Sequence, residues 1–384
     1  MLSKNAIINF FKRPEIKYIL VLFFVTRIML SIIGFSSRMM LESFNVNVNN
    51  FKYSSNPVLA VWGVWDTGYY LGIAEHGYSA NLGKEPMTKN QANYGFFPLY
   101  PLLIKMVSYI VGNLYLAGLF ISNICLLLAA FVLYKLVKID YDHESAISSV
   151  KYLFLFPTAF IFSGVFSESL FLLLLLLTFY FSHHKKWLAV SLSGFFLVLS
   201  RPLGILMVLP IAFEYFKSKE FKIKNVDYKI LYFLSWFLGL GLFLLYVNRL
   251  TGNFMGYFNT QNFGWGHVVS SPLLVIGQGL FSKDIFRLLS TSIFIIFGIA
   301  LIVEIKKIKL SYLLAAVLLF VFPLTTGLVA LNSMLRYILP IFPFFIALAL
   351  LPKNKTSEEL LIISLALAQG FLMVFWTNGL HLIV

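Results

Sequence analysis

The chain has 384 residues, of which 59% are hydrophobic and 12% charged, with 41 Phe and 20 Tyr among them. Soluble domains are roughly 45–50% apolar and about 25% charged, so this chain cannot cover itself with a polar surface in water, which excludes both a soluble globular enzyme and a disordered protein. The net charge of +14 arises from 30 Lys and Arg against 16 Asp and Glu; these cations are scattered between apolar runs, a pattern of membrane topology and headgroup attraction, not of nucleic-acid binding.

A bilayer-spanning helix needs about 20 mostly apolar residues, with a range of roughly 17–25. The basic stretch from Met1 to Lys17 leads into the first apolar run without a small-residue cleavage site, so it reads as a retained signal anchor. Spans are then predicted at 17–36, 114–137, 146–163, 167–183, 187–200, 202–216, 229–249, 286–304, 310–330, 336–351 and 358–377. This is an all-α polytopic integral membrane protein of about 11 crossings. Several spans are short and imply tilted helices joined by brief turns. The run 97–112 carries Pro98, Pro101 and an interior Lys105, and is expected to lie on the outer face as an interfacial helix. With the N-terminus cytoplasmic, 19 of the 30 Lys and Arg, from Lys4 to Lys355, fall on the inner side. Two long outer segments then share one face, about 37–113 and about 250–285; no soluble domain or repeat is visible, so residues 1–384 form one domain. The single Cys125 lies in an apolar run and can form no internal disulfide.

Acids near hydrocarbon are costly and mark functional sites by default. On this topology the outer face and spans hold Glu42, Asp66, Glu75, Glu85, Glu168 and Asp284. Asp66 stands in an aromatic setting, with Trp62, Trp65, Tyr69, Tyr70 and Tyr78 around it, and opens a helical stretch that closes at Gly77. It reads either as the N-cap of that helix or as a reactive carboxylate. Glu168 sits at a tight turn between two spans, either solvated or facing the same outer cavity to bind sugar hydroxyls or a cation. Arg201 and Arg336 fall at outer ends of spans. They either snorkel to headgroups or form a pair for a lipid phosphate, which guanidinium forks match bidentately. His76, His183, His184 and His267 are too scattered for a metal set, and no cofactor motif is present; a cation between Asp66 and Glu168 stays open.

Four segments carry a family resemblance: Trp65-Asp66-x-x-Tyr69-Tyr70-x-x-Ile73-Ala74-x-x-Gly77-Tyr78; Phe96-Phe97-Pro98-Leu99-Tyr100-Pro101-Leu102; Phe156-Pro157-Thr158-Ala159-Phe160-x-Phe162-Ser163 through Ser167-Glu168-Ser169-Leu170-Phe171, with Arg201 after it; and Tyr257-Phe258-x-x-Gln261-x-x-Gly264-Trp265, followed by Ser333-Met334-x-Arg336-Tyr337 and Phe342-Pro343. Over roughly residues 17–350 the chain resembles the glycosylphosphatidylinositol mannosyltransferase II (PIG-V-like) family, prokaryotic members included, within the GT-C superfamily of membrane glycosyltransferases. Thr67-Gly68 departs from the pattern, where a bulkier or more polar pair is expected, and leaves the acceptor open. The resemblance implies a polyprenyl- or dolichyl-phosphate sugar donor, usually of mannose, with transfer on the extracytoplasmic side. It also implies amphipathic helices in the first outer loop and a catalytic base from that loop, the place of Asp66.

The chemistry suits the residues. A carboxylate can take the proton of an attacking hydroxyl, and cations can stabilise the departing lipid phosphate. Asp66 is expected as base, Glu168 as sugar- or cation-binding acid, and Arg201 and Arg336 as phosphate clamps. Gln261, Trp265, Trp65, Tyr69, Tyr70 and His76 are expected to line the substrate, whose acceptor is a glycan, lipid or protein. A single displacement inverts the sugar carbon. A secondary transporter or flippase is the competing class; it calls for two-fold repetition and polar mid-membrane helix breaks, whereas here the polar clusters lie at one face. A non-catalytic lipid-binding or assembly protein is the third, with no reason to place acids and Arg together.

Overall fold

A computed structural model describes residues 13–44, 51–80 and 91–380. In chain order its longer helices are α1 (Pro14–Ser43), α2 (Thr67–His76), α3 (Leu99–Val111), α4 (Leu114–Asp140), α5 (His143–Leu155), α6 (Glu168–His183), α7 (Trp187–Ser200), α8 (Val208–Ser218), α9 (Leu234–Thr251), α10 (Pro272–Leu280), α11 (Ile285–Val303), α12 (Leu310–Val321), α13 (Pro343–Leu350) and α14 (Lys355–Thr377). No strand occurs among the described residues. Among the described residues, five helical stretches are long and apolar enough to cross a membrane: α1, α4, α11, α14, and Tyr228–Thr251, which ends in α9. The protein is an all-α, polytopic integral membrane protein.

Proline divides the spans that the apolar runs made look continuous. The expected helix 146–163 stops at Leu155 ahead of Pro157; that over 310–330 stops at Val321 ahead of Pro323; that over 336–351 breaks around Pro340 and resumes as α13 at Pro343. The stretch 202–216 opens as a 3-10 turn, Pro202–Met207, before α8. Proline lacks an amide donor and disfavours helix in the residue before it, so each break follows from local sterics.

Irregular backbone at membrane depth has to find its hydrogen bonds within the protein. The buried link 156–167 does so through side chains. Arg27 Nη1 donates to the Ala159 carbonyl at 2.9 Å and to Ser163 Oγ at 3.0 Å. Gln369 Nε2 donates to the carbonyls of Phe154 and Phe156 at 2.8 and 2.9 Å. Asn123 Nδ2 reaches the Ser163 carbonyl at 3.2 Å. Three distant helices thereby fix the segment that delivers Ser167 and Glu168.

The bundle has two chemically different ends. Only residues 184–186 join α6 to α7, so the two run antiparallel, and Glu168 at the start of one shares an end with Arg201 just past the other. At the opposite end, Lys309 lies between Asp140 at 3.6 Å and Glu214 at 3.3 Å, His183 lies 3.7 Å from Asp140, and Lys151 pairs with Glu358. Lys151 and Lys309, both expected on the inner side, thus lie at the end away from Glu168. Helix α3 packs Tyr100, Pro101 and Ile104 inward and turns Tyr109 and Ile110 outward, the latter 89% exposed. Both prolines sit at its N-terminal end, where the missing donor costs nothing. Glu85 and the signal-anchor residues before Arg13 lie outside the described residues.

Candidate functional site

The segment before α2 carries Asp66 on a turn in which Trp65 adopts φ +48°, a left-handed conformation that a non-glycine residue holds only at a cost. Asp66 occupies the N-cap position of α2, yet its side chain accepts no helix amide. Its Oδ2 accepts from Arg336 Nη1 instead. Of the two readings the sequence left open, the capping bond is absent: a charge-assisted bond to a guanidinium outcompetes a neutral amide. The departure at Thr67-Gly68 has a steric reason. Thr67 is fully buried, and a Cβ at Gly68 would stand 2.8 Å from the Tyr53 hydroxyl.

Glu168 is not solvated; it is 0% exposed at the first turn of α6. Its Oε1 accepts from Arg201 Nη1 and from Arg336 Nε. Arg336, on the helical turn Met334–Tyr337, therefore bridges both acids and lies over the Phe166 ring at 4.8 Å. The result is a chain Asp66–Arg336–Glu168–Arg201 of two anions and two cations. The Asp66 side chain is 19% exposed, and Arg201 and Arg336 are 12% and 8% exposed, so one edge of the chain opens outward. A buried acid is tolerable only when paired, and here each carboxylate is matched by a guanidinium. Neither arginine snorkels free.

Tyr70 is buried beside this chain and its hydroxyl lies 2.8 Å from Ser167 Oγ. Burial first, and then the Glu168 charge, push its phenol up to about 12; burial and the Asp66 charge do the same to Tyr69. Both remain neutral hydrogen-bonding groups near pH 7. Tyr69 donates to Gln91 Oε1 at 2.9 Å, and Gln91 Nε2 donates to the Gly264 carbonyl at 3.1 Å. Tyr69 also stacks on Phe96 with ring centres 4.6 Å apart, and Trp265 meets these two rings at 6.0 and 5.7 Å. Gln261 Nε2 donates to the Gly95 carbonyl at 3.2 Å. The two long connecting segments therefore join in an aromatic wall beside Asp66, which brings Tyr69, Tyr70, Gln261 and Trp265 together, while Trp65 packs against Phe51 with ring centres 5.5 Å apart. His76 is placed elsewhere: at the far end of α2, 76% exposed, 3.5 Å from Glu75. Glu42 is exposed at the end of α1, and Asp284 caps α11 by accepting from the Phe286 amide at 2.9 Å.

Sequence reasoning missed Tyr53, Gln91 and Ser167. Ser167 was within reach as the neighbour of Glu168 in a quoted motif, whereas Gln91 sits in no pattern. Among the described residues no group of three His, Cys, Asp or Glu side chains is placed to hold a metal ion. A cation shared by Asp66 and Glu168 would take the place of the Arg336 guanidinium, which bonds both acids.

No family model matches the chain, and no curated protein matches it. Among solved structures it is similar to ArnT from Cupriavidus metallidurans bound to undecaprenyl phosphate, with 13% identity and a TM-score of 0.52 over 91% of this chain and 63% of that one. It is also similar to the oligosaccharyltransferase of Archaeoglobus fulgidus tethered with an acceptor peptide, with 11% identity and a TM-score of 0.45 over 94% of this chain and 55% of that one. The chain thus spans less than two thirds of the length of these proteins. The likeness to ArnT is one of fold alone, and nothing in these comparisons reaches the narrower PIG-V-like family.

Proposed function

We propose that the protein is a membrane glycosyltransferase that moves a sugar, mannose in our reading, from a polyprenyl- or dolichyl-phosphate donor to an acceptor hydroxyl, with Asp66 as the base. The observation that carries this is the Asp66–Arg336–Glu168–Arg201 chain at one end of a membrane bundle, partly open and walled by aromatic rings. Asp66 takes the acceptor proton as the hydroxyl oxygen attacks the anomeric carbon. The bond from that carbon to the phosphate oxygen breaks, the electron pair leaves with the phosphate, and the sugar carbon inverts. Charge grows on the departing phosphate, and the guanidinium N–H groups of Arg201 and Arg336 not bound to carboxylates stabilise it in a site drier than water. Glu168 keeps both arginines aimed and, in this reading, positions the clamp. Tyr69 and Trp265 offer the flat apolar faces that sugars and prenyl-linked headgroups pack against. The fold neighbour solved with undecaprenyl phosphate supports a lipid-phosphate donor.

Orientation follows from charge. The lysine-rich end faces the cytoplasm by the positive-inside rule, which puts Asp66 on the extracytoplasmic side. The test is transfer from a prenyl-phosphate sugar by purified enzyme in detergent. Asp66→Asn is expected to lower turnover at least 100-fold, the lower bound of roughly 10²–10⁴ for general-base catalysis, with the fold intact. Near-normal turnover in that variant would rule out the base role.

A further inference from the structure

At the lysine-rich end, far from the carboxylate chain, a cavity of about 380 Å³ lies between the start of α7 and the turn Tyr228–Phe233. Lys186, Trp187, Leu188, Leu192, Lys229 and Tyr232 line it. Its size falls in the range of roughly 300–1,000 Å³ typical of small-ligand sites. Leu188 and Leu192, one turn apart on α7, are 59% and 55% exposed, and Lys186 and Lys229 stand where α7 and the turn Tyr228–Phe233 begin.

The cavity walls are held rigidly. Ser191 Oγ donates to Ser235 Oγ at 2.9 Å and Ser235 Oγ donates to the Ser191 carbonyl at 3.0 Å, which ties α7 to the start of α9. Trp187 is buried against Tyr215 with ring centres 5.0 Å apart. The Tyr215 hydroxyl donates to Asp227 Oδ1 at 3.0 Å, and Asp227 in turn accepts from the Lys229 amide at 3.1 Å. Charge is left over. Asp227 is met first by Lys219 at 2.8 Å, with Lys229 farther off at 3.8 Å, and Lys186 makes no ion pair among the described residues. The cavity therefore offers two ammonium groups against one shared carboxylate, above an apolar slot open to acyl chains.

We propose that this cavity is a binding site for an anionic glycerophospholipid, whose phosphodiester headgroup is gripped by Lys186 and Lys229 and whose acyl chain lies along Leu188 and Leu192. Basic pockets between helices at the cytoplasmic level take such headgroups by charge, each lysine contributing about a fivefold preference. The aromatic rings at Trp187 and Tyr232 suit the headgroup zone. This inference rests on the membrane fold and does not require the glycosyltransferase reading.

The test uses the full chain purified in detergent, with retained lipid counted by native mass spectrometry and melting followed on titration with phosphatidylglycerol, phosphatidylcholine or inorganic phosphate. Phosphatidylglycerol is expected to be retained and to raise the melting temperature. Phosphatidylcholine should bind at least tenfold more weakly. The double variant Lys186→Gln with Lys229→Gln should lose about 25-fold in phosphatidylglycerol affinity, whereas Lys353→Gln with Lys355→Gln should lose none. Leu192→Trp, which fills the slot, should also lose the lipid. Equal binding of the two lipids, unchanged binding in the lysine variant, or equal stabilisation by inorganic phosphate would each overturn the proposal.

Discussion

Glu168 shows how a buried charge is made tolerable, and at what risk. Its carboxylate is fully buried and accepts from Arg201 and Arg336. Removing one partner of a buried ion pair strands the other and costs about 3–5 kcal/mol. Glu168→Leu strands Arg201 and leaves Arg336 with Asp66 alone, so it is expected to lower the melting temperature sharply in detergent and to abolish transfer. Glu168→Gln, which keeps an acceptor, should fold better than Glu168→Leu yet remain inactive, since the arginines lose the charge that aims them. At Gly68 the argument is steric: Gly68→Ala forces the Tyr53 hydroxyl away from a contact of 2.8 Å and should lower kcat with little change in stability, because a flexible ring can shift but the turn carrying Asp66 shifts with it.

Helix ends and breaks set where these residues sit. Asp142 caps α5 by accepting from the Ser145 amide at 2.6 Å, and that backbone bond holds its carboxyl below the ordinary value of 3.8. Because the folded pKa is depressed, the stabilisation is present above 3.8 and is lost as pH falls through the lower folded value. Asp142→Ala should cost about 1 kcal/mol at neutral pH, and the gap between variant and parent should close in acid; melting curves across pH check both. Arg27 and Gln369 act on a break instead of an end. They satisfy carbonyls freed near Pro157, and so set the height at which α6 begins and at which Glu168 is presented.

Taken whole, the molecule gathers lysine–acid pairs at one end and the arginine–acid chain of Asp66, Arg336, Glu168 and Arg201 at the other. The orientation proposed here is open to direct measurement. Cys125 is buried, so single introduced cysteines can be read against a low background. His76→Cys, at a side chain 76% exposed, is expected to react with an impermeant maleimide on intact cells; Lys355→Cys, 89% exposed, is expected to react only after permeabilisation. The reverse pattern would place Asp66 in the cytoplasm and end the donor assignment.

Composition and apolar run length sufficed for the membrane as solvent and the helical class, since these depend on local transfer energy and on period. The aromatic motif around Asp66 was legible for the same reason, as a string of neighbours. What the sequence left open at Asp66, Glu168, Arg201 and Arg336 was decided by tertiary structure alone. Asp66 and Arg336 stand 270 positions apart, and no local pattern records that one guanidinium will bridge two acids. Span lengths were misjudged where proline interrupts apolar sequence, because hydrophobicity reports burial and not the continuity of the helix. Long-range pairing of charge is a property of the packed bundle, in which scarcity of water forces each buried ion to find its partner.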